Sequence, residues 1–358
     1  TEQTREAYMA ALFAEIGGRA KDYSDRTVTS IFIGGGTPSL LSGEQIGQLM
    51  DRIREQFAMA QDAEITMEVN PGTASAEKLR NFYTAGINRL SIGMQSAQAE
   101  ELKNLGRIHD FEGFCQVYRE AVEAGFTNIN VDIMSGLPGQ TLASYRDTLE
   151  KVLHLEPMPQ HISAYSLIVE EGTPFAAMAE RGELPLPQEE TERAMYEETI
   201  EVLAKYGFHR YEISNYARDG YECRHNVGYW IRRDYLGFGI GAASLIDNVR
   251  FQNEKSLRTY LAHPLESREE EQTLTVQDRM EETMFLGLRL TRGVSCVDFA
   301  EQYGRTVEEV YGEVIARNVA DGLLTVTERK ENQKKDRFLA LTKRGLDLSN
   351  YVMAQFLF

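Results

Sequence analysis

The chain has 358 residues, with 42% apolar and 26% charged side chains, an ordinary globular composition long enough for one large domain and a small one. A net charge of −17, from 38 basic and 55 acidic residues, disfavours nucleic-acid partners. No apolar run approaches the 18 or so residues of a membrane helix. Three cysteines far apart (Cys115, Cys223, Cys296) argue against a disulfide framework and predict a reducing, cytoplasmic setting.

The first sixteen residues, "TEQTREAYMAALFAEI", read as a charged helix and not as a signal peptide. Apolar, β-rich runs then recur: "VTSIFIGGG" from Val28, "AEITMEVNPG" from Ala63, "NRLSIGMQS" from Asn88, "TNINVDIMSGLPG" from Thr127, "QHISAYSLIVEEGTP" from Gln160 and "HRYEISNYA" from His209. Helical patterns separate them. Ser42 with Gln45 makes a capping box for a helix to Phe57, Ser75 caps the next, and Asp110 caps one reaching Gly125. Thr141 caps a helix whose apolar face is Leu142, Tyr145, Leu149, Val152 and Leu153. This alternation predicts βαβ connections and a parallel sheet, doubly wound or closed towards a barrel.

From about residue 251 the pattern changes. Helices over 279–290, 296–303 and 307–321 precede a hairpin, a turn and a last helix, the outline of a winged-helix module. Residues 251–358 carry 15 basic and 18 acidic side chains, so a protein-binding or lid role is expected of it over DNA binding. The expected boundary divides residues 1–250 from 251–358.

Gly34–Gly36 follows the first apolar run without the Gly-Lys-Ser/Thr of a P-loop or the spacing of a dinucleotide fingerprint. Alone it reads as a tight turn. Its company is different: the next strand ends offer Glu68, Gln95 with Arg107 close behind, and Asp132. Parallel α/β folds place ligand sites at such ends, and a carboxylate among strand residues is costly to bury unless it is paired or bound. An ion pair could account for any one of these side chains, but four strands delivering polar or glycine groups to one rim point to a site.

"IFIGGGTPSLLS", "EITMEVNPGT", "LSIGMQS", "LGRIHD" and "DIMSGLPGQT", in this order, resemble the radical S-adenosylmethionine (SAM) enzymes related to oxygen-independent coproporphyrinogen III oxidase, over nearly the whole chain. The resemblance implies an α/β fold: a partial (β/α)6 TIM-like barrel with a winged-helix-like α+β domain behind it. It implies that Gly35, Gly36 and Thr37 hold the ammonium of the SAM methionine. Glu68, Gln95, Arg107 and Asp132 would lie along the rest of the ligand. These types suit that ligand: Arg107 is the one cation of the set, for the carboxylate, and Asp132 can accept from a ribose diol.

"YECRHNVGYW" carries His225, Asn226, Tyr229 and Trp230 in a pattern similar to the HemW-type haem chaperones. This implies haem binding and delivery to haem-accepting proteins, with any membrane contact only through those acceptors. His225 can ligate haem iron and Trp230 can lie against a porphyrin face. Cys223 is an alternative thiolate ligand or a small buried residue, and a His beside a Trp also reads as packing. The other functional reading is a true oxidase decarboxylating coproporphyrinogen. The family's Cys-x3-Cys-x2-Cys motif for a 4Fe–4S cluster is not in this sequence. The expectation is that the first barrel strand and cluster loop precede Thr1, and that the three cysteines present cannot replace them.

Overall fold

The structure is a computed structural model that describes residues 1–266, 268–331 and 334–357. The chain forms two compact units. One is Arg26–Arg210 with Ser214–Glu222; the other is Thr1–Asp25 with Tyr211–Ile213 and Cys223–Phe358. Helix α1 (Glu2–Arg19) belongs to the second.

The first unit is built on a curled, half-barrel sheet of seven strands. They are β1 (Thr27–Ile33), β2 (Ala58–Val69), β3 (Arg89–Gln95), β4 (Ile129–Ser135), β5 (His161–Ser166), β6 (His209–Arg210) and β7 (Asn215–Ala217). The order is β1-β2-β3-β4-β5-β7-β6. The first five are mutually parallel, and β7 runs antiparallel to both β5 and β6. The sixth apolar run is therefore not one strand continuing the βα repeat. It breaks at Tyr211–Ile213, where Glu212 makes a bridge to Leu290, and the chain returns as β7.

The helices are α2 (Gly43–Gln56), α3 (Ala76–Thr84), α4 (Ala99–Asn104), α5 (Phe111–Ala124), α6 (Leu142–Leu153), α7 (Pro174–Glu180) and α8 (Glu189–Lys205). The expected caps are all present. Ser42 and Thr141 form capping boxes, Ser75 accepts from the Lys78 amide, and Asp110 accepts from the Gly113 amide. Because side chains alternate along a strand, Met67, Leu90, Ile92, Val131, Ile133 and Ile162 share one face of the sheet. They pack against Met50, Leu79, Phe82, Phe114, Tyr145 and Leu149 of the helices. Each fully buried Leu, Ile or Phe contributes roughly 1.5–3 kcal/mol, and this layer holds the strands in register. The opposite face is polar, and it holds the site.

In the second unit, α1 buries Glu15, which accepts from the Gly239 amide, Asn253 Nδ2 and Tyr260 Oη at 2.7–2.9 Å and pairs with Arg19 at 3.1 Å. After α9 (Arg224–Trp230) comes an antiparallel sheet of β8 (Ala243–Ile246), β9 (Val249–Asn253) and β10 (Arg268–Thr273), not anticipated from the sequence. Asp247 and Asn248 both have positive φ (50° and 64°), a two-residue hairpin turn, and β10 is exposed and acidic. Beyond α10 (Leu257–Ala262) the expected succession follows: α11 (Val276–Gly287), a short β11 (Val294–Ser295), α12 (Cys296–Tyr303), α13 (Val307–Ala320), and the hairpin β12 (Leu324–Glu331) and β13 (Lys334–Leu341). Helices α14 (Lys343–Asp347) and α15 (Ser349–Ala354) complete it. β11 adds a third strand beside β13, and Met284, Phe299, Tyr311, Leu339 and Phe356 form the core. Residues 332 and 333 of the expected hairpin lie outside the described residues.

Candidate functional site

The glycine loop after β1 and the end of β2 are locked together. The Gly35 amide donates to Glu68 Oε2 at 3.2 Å. Gly35 sits at φ +80°, where an L side chain is strained. A side chain at Gly34 would meet the Glu68 carboxylate at 2.8–2.9 Å, whereas the space beside Gly35 and Gly36 is open to 4 Å. The sequence reading reserved this glycine run for an approaching ligand. In the structure Gly34 instead makes room for Glu68, and only Gly35 and Gly36 face open space. Thr37 leads into a short helical turn, Pro38–Leu40. That turn is held to the next loop by Ser39 Oγ, 2.6 Å from Thr73 Oγ1 and accepting from the Asn70 amide, and by Lys78, which donates to the Ser39 carbonyl at 2.8 Å.

Gln95 ends β3 at φ +69°, beside a register shift between Gly93 and Gln95 against β4. A bulge of this kind re-aims a side chain, and left-handed backbone at a non-glycine residue costs roughly 1–3 kcal/mol. Among the described residues Arg107 makes no ion pair or side-chain hydrogen bond, so it is a free cation behind the bulge. Its neighbour His109 is buried. Burial, and to a lesser extent Arg107, push its pKa down, so its Nε2–H donates to the Met94 carbonyl at 3.3 Å.

Asp132 is braced by residues that the sequence reading missed. Asn130 Nδ2 donates to Asp132 Oδ1 at 2.7 Å, and Ser91 Oγ donates to Oδ2 at 3.2 Å. Asn130 Oδ1 in turn accepts from His161 Nδ1 at 2.6 Å and from Ser163 Oγ at 3.1 Å. Strand register sets this array: Glu68 is opposite Ser91, Ser91 opposite Asn130, Asn130 opposite His161, and Asp132 opposite Ser163. Burial drives the His161 pKa well down, with Arg89 adding to it, so the ring is neutral and Nδ1–H is the donor. Burial also raises the pKa of both Glu68 and Asp132. For Glu68 the charge of Asp132 adds to the rise; for Asp132 the hydrogen bonds and Arg89 oppose it. Arg89, 2% exposed, carries a buried Nε without an acceptor, and Thr66 Oγ1 opposite it is also buried without a partner. The available signal was the period-2 polar spacing Arg89/Ser91, Asn130/Asp132 and His161/Ser163.

The structure thus joins Gly35 to Glu68, sets Glu68 within electrostatic reach of Asp132, and fixes Asp132 in a polar array. It makes no direct bond from Gln95 or Arg107 to that group. An ammonium could be taken by the open cradle at Gly35–Thr37 beside Glu68, a carboxylate by Arg107, and a diol by Asp132, so the donor and acceptor set fits SAM.

His225 and Tyr229, four apart on α9, meet edge to face at 4.9 Å, with His225 Nε2 2.9 Å from Tyr229 Oη. Tyr229 stacks edge-on to Tyr235 at 4.7 Å, and burial pushes its pKa up to about 12. Arg289 lies over the Trp230 ring, 4.3 Å from its centroid. Cys223 is 1% exposed immediately before α9. Cys115 lies on α5 and Cys296 begins α12. Among the described residues no three His, Cys, Asp or Glu side chains converge to hold a metal ion. No helix there is long and apolar enough to cross a membrane.

The radical SAM superfamily profile matches residues 3–152, and that of the HemN C-terminal domain matches residues 274–348. The chain is 38% identical over 362 residues to the heme chaperone HemW of Bacillus subtilis, covering 99% of this chain and 92% of that protein. It is 35% identical to the HemW of Lactococcus lactis (100% and 91% covered) and 36% identical to that of Escherichia coli (90% and 85%). Among solved structures, coproporphyrinogen III oxidase (HemN) of Escherichia coli, described as a radical SAM enzyme, superposes with a TM-score of 0.83 at 26% identity, covering 99% of this chain and 84% of that one. The half-barrel and the C-terminal region are those of a radical SAM protein of the HemN type. The chain belongs to the HemW family within that class.

Proposed function

We propose that this chain is a haem-binding chaperone that hands haem to acceptor proteins, on a scaffold that binds SAM. The observation that carries the reading is the combination, in one HemW-family chain, of the strand-end array around Glu68 and Asp132 with a histidine–aromatic helix at His225–Trp230. Gly35, Gly36 and Thr37 receive the methionine ammonium, with Glu68 as its counter-charge. Arg107 takes the methionine carboxylate and Gln95 bonds along the ligand. Asp132 accepts from the ribose diol, with Ser91 and Asn130 fixing its rotamer. A 4Fe–4S cluster beside SAM would, when reduced by one electron, supply radical chemistry. Cluster ligands are not found among the described residues, and no step of this proposal runs through the cluster.

His225 is the candidate axial ligand and Trp230 the candidate porphyrin contact. Nε2 ligation would displace the Tyr229 hydroxyl, a net loss of about 1 kcal/mol, small against an iron–imidazole bond. The alternative, a coproporphyrinogen III oxidase, draws on the structural likeness to HemN. A single comparison separates the two. The full-length protein, loaded with its 4Fe–4S cluster, is incubated with haem and an apo-haemoprotein, and separately, anaerobically with SAM and a reductant, with coproporphyrinogen. Haem transfer without loss of carbon dioxide supports the chaperone; decarboxylation without transfer reverses the assignment.

A further inference from the structure

Three buried nitrogen donors at the end of α9 lack an acceptor: Trp230 Nε1, Arg232 Nη2 and Arg289 Nε. Every one is an N–H group. Glu282, the carboxylate that pairs with Arg232, is fully used: its Oε2 accepts from Arg232 Nε at 2.8 Å and its Oε1 pairs with Arg250 at 2.7 Å. Arg289 lies over the Trp230 indole, and Arg232 follows that tryptophan by two residues at the end of α9. Arg232 sits at φ +55°, a strained conformation for arginine, and its backbone N–H donates to the Tyr229 carbonyl at 3.1 Å. Among the described residues the three donors are therefore unmet, each a substantial desolvation cost when left unpaired. What the cluster lacks is an anion with acceptor oxygens in a plane, the chemistry that an arginine fork matches.

We propose that Trp230, Arg232 and Arg289 form a carboxylate site that takes a propionate of the bound porphyrin. This rests on the haem reading, and it adds Arg232 and Arg289, which lie outside the His225–Trp230 pattern, to recognition of the porphyrin edge. Arg289 is the member to test, because its guanidinium is not tied to Glu282.

The test is a Soret titration of the protein, of Arg289→Met and of Arg289→Lys, each with haem and with haem dimethyl ester, whose propionates are blocked. The unaltered protein is expected to bind haem at least tenfold tighter than the ester. Arg289→Met is expected to lose that preference, binding both with the unaltered protein's ester affinity and with an unchanged Soret position. Arg289→Lys should keep part of it. Equal binding of haem and ester by the unaltered protein overturns the carboxylate site while leaving haem binding intact; so does an Arg289→Met protein that keeps its preference. If Arg289→Met fails to fold, judged by its melting curve, the haem-to-ester ratio of the unaltered protein and of Arg289→Lys decides. No binding of either porphyrin by the unaltered protein removes the haem reading, and this proposal with it.

Discussion

The Gly35 amide and the Glu68 carboxylate, 33 residues apart in sequence, meet at 3.2 Å, with Gly34 bare beside them. A methyl group at Gly34 would fall 2.8 Å from the Glu68 carboxyl carbon. The flexible end of Glu68 can move aside, so Gly34→Ala should fold and melt within a few degrees of the parent. It should lose the bond to Gly35 and weaken SAM binding by about tenfold, or roughly 1.4 kcal/mol. Calorimetric titration with SAM beside a thermal melt checks both halves. A variant with unchanged affinity would show that Glu68 does not face the ligand.

Glu68 and Asp132 predict opposite pH trends for affinity and stability. Both carboxyls have folded-state pKa values raised by burial, Glu68 also by the charge of Asp132. A raised acid pKa means that the native state takes up protons before the unfolded chain does. Stability should therefore rise as pH falls from above the raised values towards the ordinary range near 4. The same protonation removes the acceptors for an ammonium and a diol, so SAM affinity should fall across that window. Glu68→Gln should flatten much of both curves. Parallel trends in affinity and stability would contradict this account.

Asp132→Ala and Arg107→Ala should each weaken SAM binding by about 1.5–3 kcal/mol, the range for a hydrogen bond to a charged group. They should differ in stability. Arg107 has no ion pair among the described residues, so its loss should leave the melting temperature nearly unchanged. Removing Asp132 takes one of the two acceptors of Asn130 Nδ2, leaving Ser91 Oγ, and should shift the melt while leaving the Asn130–His161 bond in place. Unaltered affinity in both variants would make these residues part of the scaffold alone.

Much of this was legible in the sequence because the signals are local. Four helix caps rest on a side chain reaching a backbone amide three residues on, and all four appear where the spacing puts them. Glu68 and Asp132 stood out as carboxylates among strand residues. The residues that brace Asp132 did not, because Asn130, His161 and Ser163 come together only through the pairing of β4 with β5. The β8–β10 sheet was hidden for a related reason. An exposed strand such as β10 has no apolar alternation to give, and its sign was a two-residue turn at Asp247–Asn248. Arg289 over Trp230 spans 59 residues of sequence without any shared pattern.

The 358-residue chain should not assemble a 4Fe–4S cluster at stoichiometry. Its cysteines lie on separate elements, on α5, before α9 and at the start of α12, and burial raises the thiol pKa of Cys115 and pushes that of Cys296 up to about 11. Thiols held protonated are poor iron ligands. Anaerobic reconstitution with iron and sulfide, followed by iron and sulfide analysis, is the check, and four irons per chain would refute it.

The axial ligand of the bound haem is expected to be His225. The ring lies half-buried on α9, and its Nε2 meets a neutral tyrosine hydroxyl, a partner that can be exchanged. Imidazole coordinates iron through the lone pair of a ring nitrogen. His225→Ala should shift or abolish the Soret band. Tyr229→Phe, which removes that hydroxyl and keeps the ring, should bind haem as tightly as the parent or slightly more so. Trp230→Ala should lower affinity without moving the band, since it removes a face contact and not a ligand. Cys223→Ser separates the thiolate alternative: Cys223 is almost wholly buried before α9, so its loss should leave the spectrum unchanged. A spectrum indifferent to His225→Ala but altered by Cys223→Ser would move the iron to sulfur. It would leave the His225–Tyr229–Tyr235 stack as a packing motif of the helix.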